Sequence, residues 1–250
     1  MKTSILTLTA AAMLSGCVVY VGNSHAKDLQ HEERKLALNA AALQQLIADT
    51  GAGQLDIIGE ESRTEIEVVA NIYYYNADDI RLSLQRRGDD AVLEATFDKM
   101  FHHGNSPYID VVVKVPARFS LKLDDGSGNT DIRGLQGNLH IEDGSGDLRI
   151  AGGGDATVQD GSGSLEISAL TGRLVLDDGS GDISIRDVGK DVSIEDGSGD
   201  MMVRNVGGIV TIEDGSGDIN VNTAGGLTIL NDGSGGLNIN AINGPVQISD

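Results

Sequence analysis

Asp178-Gly179-Ser180-Gly181-Asp182-Ile183-Ser184-Ile185-Arg186-Asp187-Val188-Gly189-Lys190-Asp191-Val192-Ser193-Ile194-Glu195 is one unit of a repeat that fills the second half of the chain. Its opening Asp-Gly-Ser-Gly occurs seven times, at Asp125, Asp143, Asp160, Asp178, Asp196, Asp214 and Asp232, in steps of 18, 17, 18, 18, 18 and 18 residues. A fixed period this short marks a stacked array whose units bury their apolar faces against their neighbours. Within the unit, Ile183-Ser184-Ile185-Arg186 and Val192-Ser193-Ile194-Glu195 alternate apolar with polar residues. Two such period-two runs separated by glycine corners predict two strands per unit.

Aligning the units extends this reading column by column. Leu148, Leu165, Ile183, Met201, Ile219 and Leu237 share one position, and Ile132, Ile150, Ile167, Ile185, Val203, Val221 and Ile239 share another. On the second arm the inward pairs are Leu139/Ile141, Leu174/Leu176, Val192/Ile194, Val210/Ile212 and Val246/Ile248. A corner column adds Leu135, Leu170, Val188, Val206, Ala224 and Ile242. Strands at equivalent places in successive units must run parallel, about 4.8 Å apart. The handedness of parallel crossovers then predicts an all-β fold, a single-stranded right-handed parallel β-helix with about 18 residues per rung. Gly137, Gly154, Gly172, Gly208, Gly226 and Gly244 mark the second corner, with Lys190 at that place in one rung.

The regular array is expected over residues 121–250, and an irregular N-terminal cap over 35–120. Asp49-Thr50-Gly51-Ala52-Gly53-Gln54-Leu55-Asp56-Ile57 has the turn-strand pattern of a rung, while 65–69 and 108–115 read as strands by alternation and β-branching. Residues 36–48 are rich in Ala and Leu, which suits helix as well as strand. Seven of the eight aromatic residues lie between Tyr73 and Phe119. They suit either a larger core that plugs the end of the helix or a binding surface built on Tyr73, Tyr74 and Tyr75. His102 and His103 are adjacent, so on a strand they would face opposite ways, which predicts loop histidines and not a metal pair.

A net charge of −20 excludes nucleic acid as a partner and leaves cations and cationic ligands as the natural candidates. Met1-Lys2, the apolar run Ile5–Leu14 and then Leu14-Ser15-Gly16-Cys17 resemble a bacterial lipoprotein signal. That resemblance implies a signal peptide over 1–16, lipidation at Cys17, a polar tether over 17–34 and attachment to a membrane through the lipid. Val18 in place of an aspartate after Cys17 favours the outer membrane.

The aspartate column is the sharpest chemical feature. Carboxylates one rung apart repel by about 0.9 kcal/mol in water and about 3.5 at an effective dielectric near 20. Two devices could offset this. Each aspartate could accept hydrogen bonds from the turn amides and stay ionised. Alternatively, Asp125, Asp143, Asp160, Asp178, Asp196, Asp214 and Asp232 could hold a ladder of Ca²⁺ ions with the turn carbonyls. The calcium-binding β-roll is the comparison for the second, and this chain departs from it in the place of its aspartate and in having the motif at one of two turns.

The mature chain resembles the bacterial family of unknown function labelled "putative adhesins", related to the head domain of certain autotransporter adhesins. The resemblance is carried by residues 49–57, by Val113-Lys114-Val115-Pro116 and by the serial Gly-Ser-Gly-Asp-Ile-x-Ile units. It implies a β-helix with no transferred catalytic residue. Polysaccharide lyases share that fold but resemble longer rungs with loops that build a cleft, so no enzyme is expected here. The expected function is a lipid-anchored envelope protein presenting an acidic rod for adhesion or scaffolding, toward a protein or glycan ligand. The alternative is a sensor or binder of cationic antimicrobial peptides. End-to-end self-association through the final rung is a further mode.

Overall fold

The computed structural model describes residues 29–99 and 106–249. The N-terminal strands are β1 (Gln30–Asn39), β2 (Gln45–Ala52), β3 (Leu55–Glu60), β4 (Glu65–Tyr74), β5 (Ile80–Arg87), β6 (Asp90–Phe97) and β7 (Tyr108–Pro116). The repeats follow as β8 (Ser120–Ser127), β9 (Thr130–Arg133), β10 (Leu139–Asp143), β11 (Leu148–Gly153), β12 (Ala156–Asp160), β13 (Leu165–Leu170) and β14 (Leu174–Asp178). They continue as β15 (Ile183–Val188), β16 (Val192–Asp196), β17 (Met201–Asp214), β18 (Ile219–Asn231), β19 (Leu237–Ile242) and β20 (Val246–Ile248). Among the described residues the one helical element is a 3-10 turn at Ala77–Asp79.

Each rung contributes one strand to each of two parallel stacks. One stack runs β2, β8, β10, β12, β14, β16, then the second halves of β17 and β18, then β20. The other runs β3, β9, β11, β13, β15, the first halves of β17 and β18, then β19. The parallel β-solenoid expected from the period is therefore present, with 17 or 18 residues between register partners such as Val158↔Leu176 and Ile141↔Val158. Its interior is the set of aliphatic columns read from the alignment, and Ile141, Ile150, Val158, Ile167, Val203 and Ile212 are fully buried.

The N-terminal region follows a different plan from stacked rungs in chain order. β6 and β7 form a rung that pairs parallel with β2 and β3, which in turn pair with β8 and β9. The second rung in space is thus the first in sequence. β4 lies antiparallel between β1 and β7, and β5 lies antiparallel to β6. Both stacks are carried on by antiparallel strands, which alternate in the same way as parallel ones and so were indistinguishable by pattern. Residues 36–39 belong to β1 and 45–48 to β2, so the stretch open to helix is strand and turn. Gln30–Arg34, expected in the tether, also lie in β1. Of the aromatic residues, Phe119 and Phe97 are buried, whereas Tyr73, Tyr74 and Tyr75 are half-exposed, with Tyr74 packed against the core.

Stacking dictates the corners. At Gly181, φ is 146°, and a Cβ would sit 1.7 Å from the Gly163 carbonyl oxygen one rung below. The opposite corner passes through the left-handed region at Gly134, Gly152, Ala169, Asp187, Asn205, Thr223 and Ala241, five of them bearing side chains. Lys190 also finds its explanation here. The Asp155 carboxylate accepts from the Arg173 N–H, and the Asp191 carboxylate from the Ile209 N–H, one rung on in each case. A Cβ at Gly172 or Gly208 would collide with those carboxylate oxygens at 2.2 and 2.1 Å. Beneath Asp191 stands Arg173, which offers no acceptor, so Lys190 is admitted.

A β-branched residue in the left-handed region is strained, whereas Asn tolerates it. Thr223, at φ 63°, is such a residue. Thr223→Asn is expected to stabilise the chain by about 0.5–1 kcal/mol in urea unfolding. Gly208→Ala should destabilise it more than Gly226→Ala, where the nearest atom to a new Cβ is Ile209 Cγ1 at 3.2 Å.

Candidate functional site

The strands of the first stack end in the pattern apolar, outward, apolar, acidic or polar, aspartate, as in Val192-Ser193-Ile194-Glu195-Asp196. Period two therefore turns the last aspartate inward with the apolar residues. Asp125, Asp143, Asp160, Asp178, Asp196 and Asp214 are in fact all buried, none more than 6% exposed. They stand in direct register, Asp125↔Asp143↔Asp160↔Asp178↔Asp196↔Asp214. Asp232 is half-exposed.

The lower end of the column is served by hydroxyls. Thr50, in register with Asp125, donates through Oγ1 to Asp125 Oδ1 at 2.5 Å. Thr130 takes the place of a leucine in the facing stack and donates to Asp125 Oδ2 at 3.1 Å. Sequence reasoning overlooked both threonines. The signal was present: each is a hydroxyl where the alignment supplies aspartate or leucine. Higher up, Asp196 and Asp214 each accept one N–H, from Ser198 and Ser216 at 3.1 Å. Both carboxyl oxygens of Asp143, Asp160 and Asp178, and Oδ2 of Asp196 and Asp214, make no well-aligned hydrogen bond. The turn amides of Ser145 and Gly144, Ser162 and Gly161, and Ser180 and Gly179 nevertheless lie close enough to favour the ionised forms of the first three.

Burial, and then the adjoining carboxylates, push Asp143 and Asp178 up to about 7 and Asp196 to about 6. Burial also raises Asp125, Asp160 and Asp214. The turn amides act on these groups as expected and favour the ionised form, but desolvation outweighs them and the net shift is upward. The donor set does not fit Ca²⁺, which takes six to eight oxygens. Turn carbonyls are committed to the rung ladder, the Asp125 oxygen to the Gly144 N–H and the Ser162 oxygen to the Gly146 N–H. Among the described residues no three acidic, His or Cys side chains gather as metal ligands.

Other aspartates do different work. Asp182, Asp200 and Asp218 each accept the backbone N–H of the residue one rung on, at 3.2, 3.0 and 2.7 Å, and Gly236 ends that series. On the outer face of the first stack, Glu94, Asp49, Asp124 and Glu142 are successive register partners, and Asp177, Glu195 and Glu213 continue the line beyond Gln159. Asp49 is raised by burial and by Asp124 and Glu94 beside it.

Tyr73 and Tyr74, adjacent in β4, face opposite ways. Tyr73 stacks between His31 and Tyr108, with centroids 4.5 and 4.4 Å away. Tyr74 packs against the core and donates to Glu32 at 3.4 Å, and the Tyr75 carbonyl accepts from Gln30 Nε2. Cys17, His102 and His103 lie outside the described residues.

No family model and no curated protein matches the chain. Solved structures that resemble it include the following three. A "putative adhesin" from Parabacteroides distasonis shares 12% identity over 89% of this chain and 98% of that one, with a TM-score of 0.39. A "putative cell adhesion protein" from Clostridium sporogenes shares 11% over 88% and 100%, with a TM-score of 0.35. A "putative adhesin" from Bacteroides fragilis shares 12% over 90% and 98%, with a TM-score of 0.33.

Thr50→Val removes a donor from a buried carboxyl, which costs about 1–3 kcal/mol. The loss should be larger at pH 8 than at pH 4, because the hydroxyl favours the charged form of Asp125. Thermal unfolding at the two pH values checks this.

Proposed function

We propose that the chain is a non-enzymatic, lipid-anchored envelope protein that displays a rigid acidic solenoid for adhesion or scaffolding. The observation that carries this reading is the stripe of outward carboxylates from Glu94 and Asp49 to Glu213, held in register along the first stack. Ladder pairing on both sides of every internal rung fixes the side chains of that stripe about 4.8 Å apart. In the regular array from β8 to β20 the corners between rungs are short, so the surface is repetitive along its length. Such a surface suits a partner that is itself extended or multivalent, bound by many weak contacts. Lipid attachment at Cys17 in the outer membrane would present it away from the bilayer.

The same stripe favours a cationic antimicrobial peptide as the ligand in a second reading. Exposed charges are screened over about 8 Å at 0.15 M salt and about 30 Å at 0.01 M, so binding should weaken steeply with salt.

Three measurements follow. Cys17→Ala should release the protein from the membrane fraction, and cells lacking the chain should lose attachment or envelope integrity. Unchanged attachment and integrity would remove the first reading. The combined variant Asp177→Asn, Glu195→Gln, Glu213→Gln should bind a cationic peptide at least about tenfold more weakly than the parent at 0.01 M salt. Equal binding, or none by either protein, would remove the second.

A further inference from the structure

The interior aspartate column poses a problem that the rod's outer surface does not. Six carboxyl groups lie in register, about 4.8 Å apart. All are buried, and those of Asp143, Asp160 and Asp178 have neither oxygen in a well-aligned hydrogen bond. An ionised carboxylate accepts hydrogen bonds and donates none, so each of these groups needs a donor. Beyond the poorly aligned turn amides of Ser145 and Gly144, Ser162 and Gly161, and Ser180 and Gly179, the surroundings supply few. Along the same strands the neighbours are Ile141, Val158, Leu176, Ile194 and Ile212, and across the turn they are Leu148, Leu165, Ile183, Met201 and Ile219, all buried. Thr50 and Thr130 donate to Asp125, and Ser198 and Ser216 to the upper two carboxylates. The charged groups acting on the column are its own members, Asp124 beside Asp125 and Asp232 beside Asp214. Among the described residues no lysine, arginine or histidine forms an ion pair with any of the six.

We propose that the column is a proton-binding site: at neutral pH part of its carboxyls are protonated and donate to ionised neighbours on adjoining rungs. One rung of separation is short enough for a carboxyl turned along the axis to reach the next, since an O–H···O⁻ bond spans about 2.5–2.7 Å. Two carboxylates that cannot both ionise share one proton in the same way. Sharing along six groups would hold about three protons, titrating as a set and not residue by residue. The protons enter from solvent as the chain folds and return to it on unfolding, so no co-reactant is needed. Burial of Asp143 and Asp178, raised to about 7, supports this placement.

The sign of the pH dependence follows. Below the ordinary aspartate range both folded and unfolded chains are protonated and the column costs nothing. Between about pH 4 and pH 7 the unfolded chain loses protons that the folded one keeps, so stability falls. Above the folded values the loss is complete. The column thus makes a rod that tightens in acid and loosens toward alkaline pH.

Infrared spectra of the folded chain at pH 6 should show the C=O band of protonated carboxyls, shifted in D₂O. Asp160→Asn with Asp178→Asn should weaken that band. It should also raise the melting temperature by several degrees at pH 8 while changing it little at pH 4, because stacked amides supply their own donors. If the double variant does not fold, the band in the parent and in Asp160→Asn alone decides. Absence of the band at pH 6 would overturn the proposal. So would a melting temperature that Ca²⁺ or Mg²⁺ raises in the parent but not in the variant, which would assign the column to a metal ion.

Discussion

In-register parallel stacking is the constraint on which this structure depends. Translation by one rung sets every side chain directly over its counterpart, so each residue choice is repeated as a column and judged as one. Aliphatic columns gain from this, since Ile132, Ile150 and Ile167 each pack on a like neighbour in the dry interior. Acceptors at the corners gain too, because Asp182 or Asp191 meets the orphan N–H of the rung above. Like charges lose, by about 3.5 kcal/mol per step at an effective dielectric near 20 if they stay ionised and unscreened. The chain tolerates that loss outside, where water and salt relieve it, and also inside, where neither does. The interior column is the part of the molecule in conflict with its own architecture.

Most of the repeat architecture was legible because its signals are periodic. The parallel pairing, the inward columns up to Ile229 and the corner column Leu135, Leu170, Val188, Val206 and Ala224 lie where the alignment puts them. Val246 and Ile248, read as an inward pair, are instead 49% and 47% exposed in the last described rung, and Leu237, Ile239 and Ile242 are only partly buried. Two features were present in the pattern but assigned to the wrong cause. Alternation through Leu139, Ile141 and Asp143 continues inward by one more step, yet the aspartate was grouped with the turn because Asp-Gly is turn chemistry. Lys190 stood as an exception until the rung beneath it was compared. Glycine is needed at that corner where the residue one rung below carries an acceptor, a relation between positions 18 apart that no single repeat displays. The left-handed column at Ala169, Asp187, Asn205 and Thr223 carried only a weak composition signal, since stacking enforces the conformation against the preference of Ala169 and Thr223.

The N-terminal region was less legible for a topological reason. Alternation reports which face of a strand is buried, not the direction of its neighbour. β4 and β7 have the same inward-outward rhythm, yet one runs antiparallel to the other. The insertion of β4 to β7 between the rung of β2 and β3 and that of β8 and β9 leaves no trace in hydropathy. It does place β2 and β3 with partners on both sides before the regular array begins. The array therefore starts on a fully paired rung, and the antiparallel strands β1, β4 and β5 carry both stacks on from there.

This arrangement bears on where the conflict falls. Thr50 stands one rung below Asp125 and Ala95 one rung below Thr50, so the carboxyl column begins only after a hydroxyl and a methyl. Its first member is bonded twice, and its upper members once each, whereas Asp143, Asp160 and Asp178 in the middle make no well-aligned hydrogen bond. Stability in a stacked array is a sum of rung and neighbour terms, so weak middle rungs are protected by strong flanks only as long as the rungs remain coupled. The two threonines at the base and the amide contacts above thus bracket a central stretch whose energy is set by protonation. The acidic outer stripe runs over those same rungs, at Glu142, Asp177 and Glu195. Whatever engages that stripe acts on the part of the rod whose interior is least satisfied, because Asp177 and Asp178 are adjacent residues of one strand with opposite facings.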